Sequence, residues 1–196
     1  MIKKDYDDDR IIILNEVDES PISNAIHQLF TLAQKDKKSP IHIIINTFGG
    51  VIYDMLALYD AIKYIQSLGI PVNTIGLGKI MSAGVILLAA GTSRKIGRNA
   101  TIMWHVGHDE FGGDILEIEN EILEFRRLEG LCNKILSEDT KISDDKMKEM
   151  LHPRVDVYIT PKEAIQFGIV DGYLDALEKP TLTEPVKKTK TKRTLK

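Results

Sequence analysis

The sequence predicts an α/β fold on two observations: short apolar, β-branched runs that read as buried strands, and helical patterns that alternate with them. The runs are Arg10 to Leu14, Ile41 to Asn46, Val72 to Leu77, Thr101 to Trp104 and Ile169 to Leu174. Between the first two, Ser20 can cap a free amide and Pro21 suits a first helical position, so a helix is expected to run from there to about Gln34. A second follows Gly49-Gly50, with Ile52, Met55, Leu56, Tyr59, Ile62 and Ile65 on one stripe, and ends near Gly69. A third, Ser82 to Ala90, is apolar almost all round and is expected to be buried.

From Asp114 to about Asp139, apolar residues from Ile115 to Ile135 recur at three- and four-residue spacing. At 1.5 Å per residue such a helix spans about 39 Å, longer than a domain of this size needs for its own core, and it is expected to pack against another subunit. The chain is expected to form one domain over residues 1–178, followed by a basic, disordered tail over 179–196 that ends in KKTKTKRTLK.

The 196 residues are 43% hydrophobic, enough for one ordinary core. A formal net charge of -3 gives no basic excess for phosphate binding, so nucleic acid is not an expected partner. Cys132 is the single cysteine, so no intramolecular disulfide is possible, and MIKKDYDDDR carries charges where a signal peptide needs an apolar run. A cytoplasmic protein without a membrane span is expected. Zinc lacks a ligand pattern, since His105 and His108 form one close pair with no Cys or His-Glu-x-x-His beside it. Neither a P-loop nor G-x-G-x-x-G is present, so neither a metal nor a nucleotide cofactor is expected.

Three polar residues stand in separate apolar settings: Ser82 in GKIMSAGVILLAAG, His105 in TIMWHVG and Asp156 in HPRVDVYIT. A serine hydroxyl needs a base to take its proton, and the base needs an anion to hold its tautomer, so these residue types have the composition of a catalytic triad. Ser82 follows VNTIGL and a GKIM turn and opens a helix, where free amides favour an oxyanion. Taken alone it is more often an N-cap, and His105 more often a structural or surface histidine. Gly49-Gly50 after IHIIIN could be a tight turn or a close approach to a ligand, with one amide of the pair and that of Ala83 as oxyanion donors. Asp156, framed by valines, is expected to be partly buried, and His108 ranks below His105 as the base. The G-x-S-x-G elbow of α/β-hydrolases is absent, because Ile80 occupies its first glycine.

Taken in order, these segments resemble the proteolytic subunits of Clp proteases, serine peptidases of the crotonase-like superfamily. INTFGG is similar to the family's I-N-S-P-G-G, GKIMSAGVILLAAG to its G-x-A-A-S-x-G-A-x-L-L-A-A-G, and TIMWH to its R-I-M-I-H, while TPKEAIQFGIVD matches a further motif just after Asp156. The resemblance implies repeated β-β-α units with a protruding handle helix at about 114–139. It implies Ser82 as nucleophile, His105 as base then acid, Asp156 as its orienter, and Gly49 with Ala83 as the oxyanion hole. Gly50, Gly112 and Gly113 would bind substrate, the last two in a strand that lines it. It implies polypeptide substrates, self-association into heptameric rings stacked as a tetradecamer, and an AAA+ unfoldase as partner. Only MIKKDYDDD precedes the first strand, where the family has a longer axial segment, so docking of an unfoldase is left open. Two alternatives stand beside this reading: a non-catalytic structural or regulatory ring subunit, and a stand-alone peptidase.

Overall fold

The computed structural model describes residues 10–151 and 156–174, without the side chains of Asp144 and Leu151. The expected tail at 179–196 and residues 1–9 lie outside them. The elements follow in the order β1 (Ile11–Leu14), α1 (Glu19–Lys35), β2 (Ile41–Thr47), α2 (Ile52–Ser67), β3 (Val72–Met81), α3 (Ala83–Ala89), β4 (Arg94–Ile96), β5 (Thr101–Trp104), α4 (Ile115–Asp139), α5 (Asp144–Leu151), β6 (Val157–Ile159), α6 (Pro161–Gln166) and β7 (Gly172–Tyr173). They build a mixed α/β fold on one mostly parallel sheet, ordered β1-β2-β3-β4-β7, with β5 pairing β3 and β6 lying antiparallel on β5.

The sheet is parallel because each crossover carries a helix, and its central strands are buried on alternate residues: Ile41, Ile43 and Ile45 of β2 are fully enclosed. Helices α1 and α2 cover one region with Ile22, Leu29, Leu58 and Ile62, while α3 is enclosed along its whole length. Buried Arg10 anchors the start of β1 by donating to the carbonyls of Leu32, Asp36, Ser39 and Pro40, at the end of α1 and just beyond it. Among the described residues no helix is long and apolar enough to cross a membrane.

Four expectations change. Helix α1 begins two residues early, because Asp18 and not Ser20 is its cap, accepting from Glu19 N–H at 2.9 Å. Residues 79–81 do not turn: β3 continues to Met81 through a bulge in which two steps of β2, Ile45 to Thr47, face four of β3, Gly76 to Ile80. Gly78 takes φ +66 there, and Asn46 Oδ1 fills the space a β-carbon would need, 2.9 Å away. The bulge changes the partner of β3, from β4 at Thr74–Gly76 to β5 at Lys79–Met81. Strand β4 was not anticipated, since three residues with two basic side chains carry no apolar run. At the end of the described residues, Ile169 and Val170 are buried in a turn and only Gly172–Tyr173 pairs.

Helix α4 matches the expected length, opened by a capping box between Asp114 and Glu117. Its second half is packed through Leu128, Cys132, Ile135 and Leu136, but in its first half Ile115, Leu116 and Leu123 are each more than 60% exposed.

Candidate active site

Ser82 stands where the bulged end of β3 meets α3, its own N–H donating to Met103 O at 2.8 Å. Its backbone takes φ 52 and ψ -123, and among the described residues it is the only non-glycine residue with positive φ. Those angles are those of the first central position of a type II′ turn, which favours glycine, so a serine there is held under strain by its surroundings. Although it occupies the N-cap of α3, its side chain makes no capping hydrogen bond. The hydroxyl is directed elsewhere: Ser82 Oγ lies 2.9 Å from His105 Nε2. With the imidazole proton on Nδ1, the hydroxyl donates and Nε2 accepts, the arrangement a general base requires.

His105 follows the last residue of β5 and is held at that height by the pairing of Lys79–Met81 with Thr101–Met103. On its other side β6 places Val157 opposite Trp104, which brings Asp156 near the ring. Asp156 Oδ1 is 4.0 Å from His105 Nδ1 and its side chain is 52% exposed. That separation is beyond a hydrogen bond, and the carboxylate is wetter than its valine neighbours suggested. His108 is exposed and meets His105 edge-on, with ring centroids 5.7 Å apart.

Gly49, at φ +102, packs on the same corner. A β-carbon built on it would lie 2.7 Å from Ser82 Cβ, 2.9 Å from Met81 O and 3.2 Å from Ala83 N, so only glycine fits. Ala83 opens α3, and its amide has no intrahelical acceptor. The Gly49 N–H has one: it donates to Thr47 Oγ1 at 3.1 Å. Gly50 forms a bridge with Val17, whose carbonyl fills the space of a β-carbon and also accepts from Val51 N–H at 2.8 Å. Gly112 has open space around it, and Gly113, at φ +136, packs against Glu117. No strand pairing forms at 112–113 among the described residues; the segment between β5 and α4 is irregular, having no neighbouring strand of this chain to pair with.

Ser82 and His105 open into a cavity of about 820 Å³ whose apolar walls include Ile52, Met55, Ile86 and Trp104. Cys132 also lines it, but burial first and the charge of Glu129 second push its thiol up to about 11, so it is almost wholly protonated at neutral pH and a poor rival nucleophile. Neighbouring polar groups also shape the site, of which sequence reasoning had not singled out Glu129. Glu129 of α4 accepts from Gly107 N–H at 3.1 Å and ties down the loop after His105, while Lys79 Nζ lies 4.5 Å from the centre of the exposed Phe48 ring. No signal short of the fold could have joined Glu129 to a residue 22 positions away.

A strained serine held 2.9 Å from a histidine at the strand ends of a mostly parallel sheet has the geometry in which a hydroxyl can pass its proton to a base. The chain belongs to the Clp protease family, whose pattern it matches over residues 1–176. Among curated proteins it is similar to the ATP-dependent Clp protease proteolytic subunit of Deinococcus radiodurans, 33% identical over 170 residues, covering 85% of this chain and 81% of that one. It is also similar to ATP-dependent Clp protease proteolytic subunit 1 of Bifidobacterium longum, 33% identical over 172 residues, 86% of this chain and 72% of that protein.

Proposed function

We propose that this chain is a serine endopeptidase that cuts unfolded polypeptides and peptides inside the chamber of an ATP-dependent Clp-type protease. The observation that carries the reading is the 2.9 Å contact between His105 Nε2 and the hydroxyl of a strained Ser82 that caps nothing. Ser82 Oγ attacks the scissile carbonyl as His105 takes its proton; His105 returns that proton to the leaving amine, and water then enters by the same route to release the acid. Asp156 steadies the imidazolium from the far side of the ring, and Ala83 N–H and Gly49 N–H receive the oxyanion.

The exposed Ile115, Leu116 and Leu123 on α4 support association through that helix, since apolar side chains along one projecting element need a cover. Heptameric rings stacked as a tetradecamer, an AAA+ unfoldase that feeds them and a cytoplasmic location complete the proposal; the names of the two relatives, each an ATP-dependent proteolytic subunit, support the ATP-driven partner and the assembly but not the ring number or the location. Gly112 and Gly113 lie on an irregular edge to which an extended peptide could add as a strand. The test is hydrolysis of a fluorogenic peptide and of an unfolded protein by the assembled wild type and by Ser82→Ala. Cleavage lost in the variant supports the proposal; equal cleavage by both contradicts it.

A second reading, a ring subunit without useful catalysis, is favoured by one observation, the 4.0 Å gap between His105 and a half-exposed Asp156. An assembled wild type that neither cleaves nor is labelled at Ser82 would decide for it.

A further inference from the structure

Resting on the peptidase reading above, we infer that Thr47 holds the oxyanion site of this chain half closed, and that the Phe48–Gly49 peptide turns away from Thr47 when the tetrahedral intermediate forms. Thr47 is the last residue of β2 and is wholly buried. Its hydroxyl accepts from Gly49 N–H at 3.1 Å and donates to Gly49 O at 3.4 Å, so both polar groups of that glycine turn to one side chain. No water competes for the hydroxyl in this enclosed position. What Gly49 presents to Ser82 and Ala83 N is the β-carbon side of its α-carbon, the direction in which a built β-carbon comes within 2.7 Å and 3.2 Å of them. The four substituents of a tetrahedral carbon diverge, so the N–H that an oxyanion needs is not the group facing Ala83.

The local backbone is suited to the turn. Gly49 and Gly50 have φ values of +102 and +152, in territory that glycine explores at low cost. Beyond them the chain is pinned, because Gly50 and Val51 are bonded to Val17. Before them Phe48 is 71% exposed, so the Phe48–Gly49 peptide is the unit free to swing. Thr47 is therefore a positioning residue: its hydroxyl satisfies the amide while no substrate is bound, and the amide must leave it to stabilise the transition state.

The consequence runs against the usual effect of trimming an active site. Thr47→Val keeps the volume but leaves the Gly49 N–H unsatisfied in the free enzyme, so the intermediate gains relative to the ground state. We expect kcat on a small peptide amide to rise about fivefold, about 1 kcal/mol at 1.36 kcal/mol per tenfold, with KM within about twofold of wild type. Thr47→Ser restores the hydroxyl and returns kcat toward wild type. A Thr47→Val protein that is folded, active and no faster than wild type overturns the inference. A second measurement is independent of turnover and of that variant's folding: the Gly49 amide of the wild type, followed by NMR with and without a peptide boronate that forms a tetrahedral anion on Ser82. The amide resonance moves on adduct formation if the peptide turns, and an unmoved resonance overturns the inference. Failure of the peptidase reading is recognised separately, because then Ser82 forms no boronate adduct and wild type and Ser82→Ala cleave alike.

Discussion

Gly49 lies against Ser82 so closely that a β-carbon on the glycine would stand 2.7 Å from that of the serine and 2.9 Å from the Met81 carbonyl oxygen. Neither neighbour can retreat cheaply, since one is backbone and the other is held by the bulge of β3. Gly49→Ala also meets a φ of +102 that L-residues avoid. We expect a loss of about 1–3 kcal/mol in unfolding free energy from that strain and a fall in kcat of about 100-fold as Ser82 is displaced. Chemical denaturation and steady-state kinetics measure the two parts.

Ser82 Oγ and His105 Nε2 lie 2.9 Å apart, and the proposed mechanism makes them one unit. Ser82→Ala and His105→Ala should each lower kcat by about 10⁴-fold or more, and the double variant should lose little beyond either single change, because a nucleophile without its base is already idle. Additive losses would show that the two residues work independently.

Asp156 does not reach hydrogen-bonding distance of His105 and is half exposed. Asp156→Asn should therefore cost less than about 100-fold in kcat, clearly less than His105→Ala. A loss as large as that of His105→Ala would mean that the gap closes in the working enzyme.

Arg94 joins three elements: it donates to Asp171 from its backbone and guanidinium, and from Nη1 to Asp139 O at the end of α4. Burial pushes the Asp171 carboxyl up, but the hydrogen bonds from Arg94 and its positive charge outweigh that and hold the group below its ordinary 3.8. A carboxyl lowered in the folded state stabilises it fully above the unfolded pKa and loses that contribution as pH falls through the folded value. Asp171→Asn should cost about 1 kcal/mol at pH 7. The difference from wild type should shrink below a pH of about 4, as thermal melts across pH will show.

The exposed apolar half of α4 is predicted to be covered in the assembly. Leu116→Asp with Leu123→Asp should shift the sizes seen by native mass spectrometry toward smaller species while the monomer keeps its helical circular dichroism, since both side chains are more than 60% exposed in the single chain. Unchanged assembly would assign the association to another face.

The α/β class was legible because β-branched runs and helical spacing are local signals, and α4 was legible nearly to its ends. Three features were not. The bulge that keeps residues 79–81 in β3 depends on Asn46, a neighbour from another strand, so GKIM reads locally as a turn. Ser82, His105 and Asp156 could be picked out as residue types, but their meeting depends on β3 changing partner from β4 to β5 and on β6 running back along β5. Strand substitutions of this kind leave no spacing in the sequence. The engagement of Gly49 N–H by Thr47 was hidden for a different reason: a glycine pair announces conformational freedom, and the side chain two residues earlier decides how that freedom is used.

The most direct test of the central claim is covalent labelling of the assembled protein with a fluorophosphonate, followed by peptide mapping. The account predicts one adduct per chain on Ser82, lost in Ser82→Ala and slowed by orders of magnitude in His105→Ala. Labelling at another residue, or none on a well-assembled wild type, would contradict it.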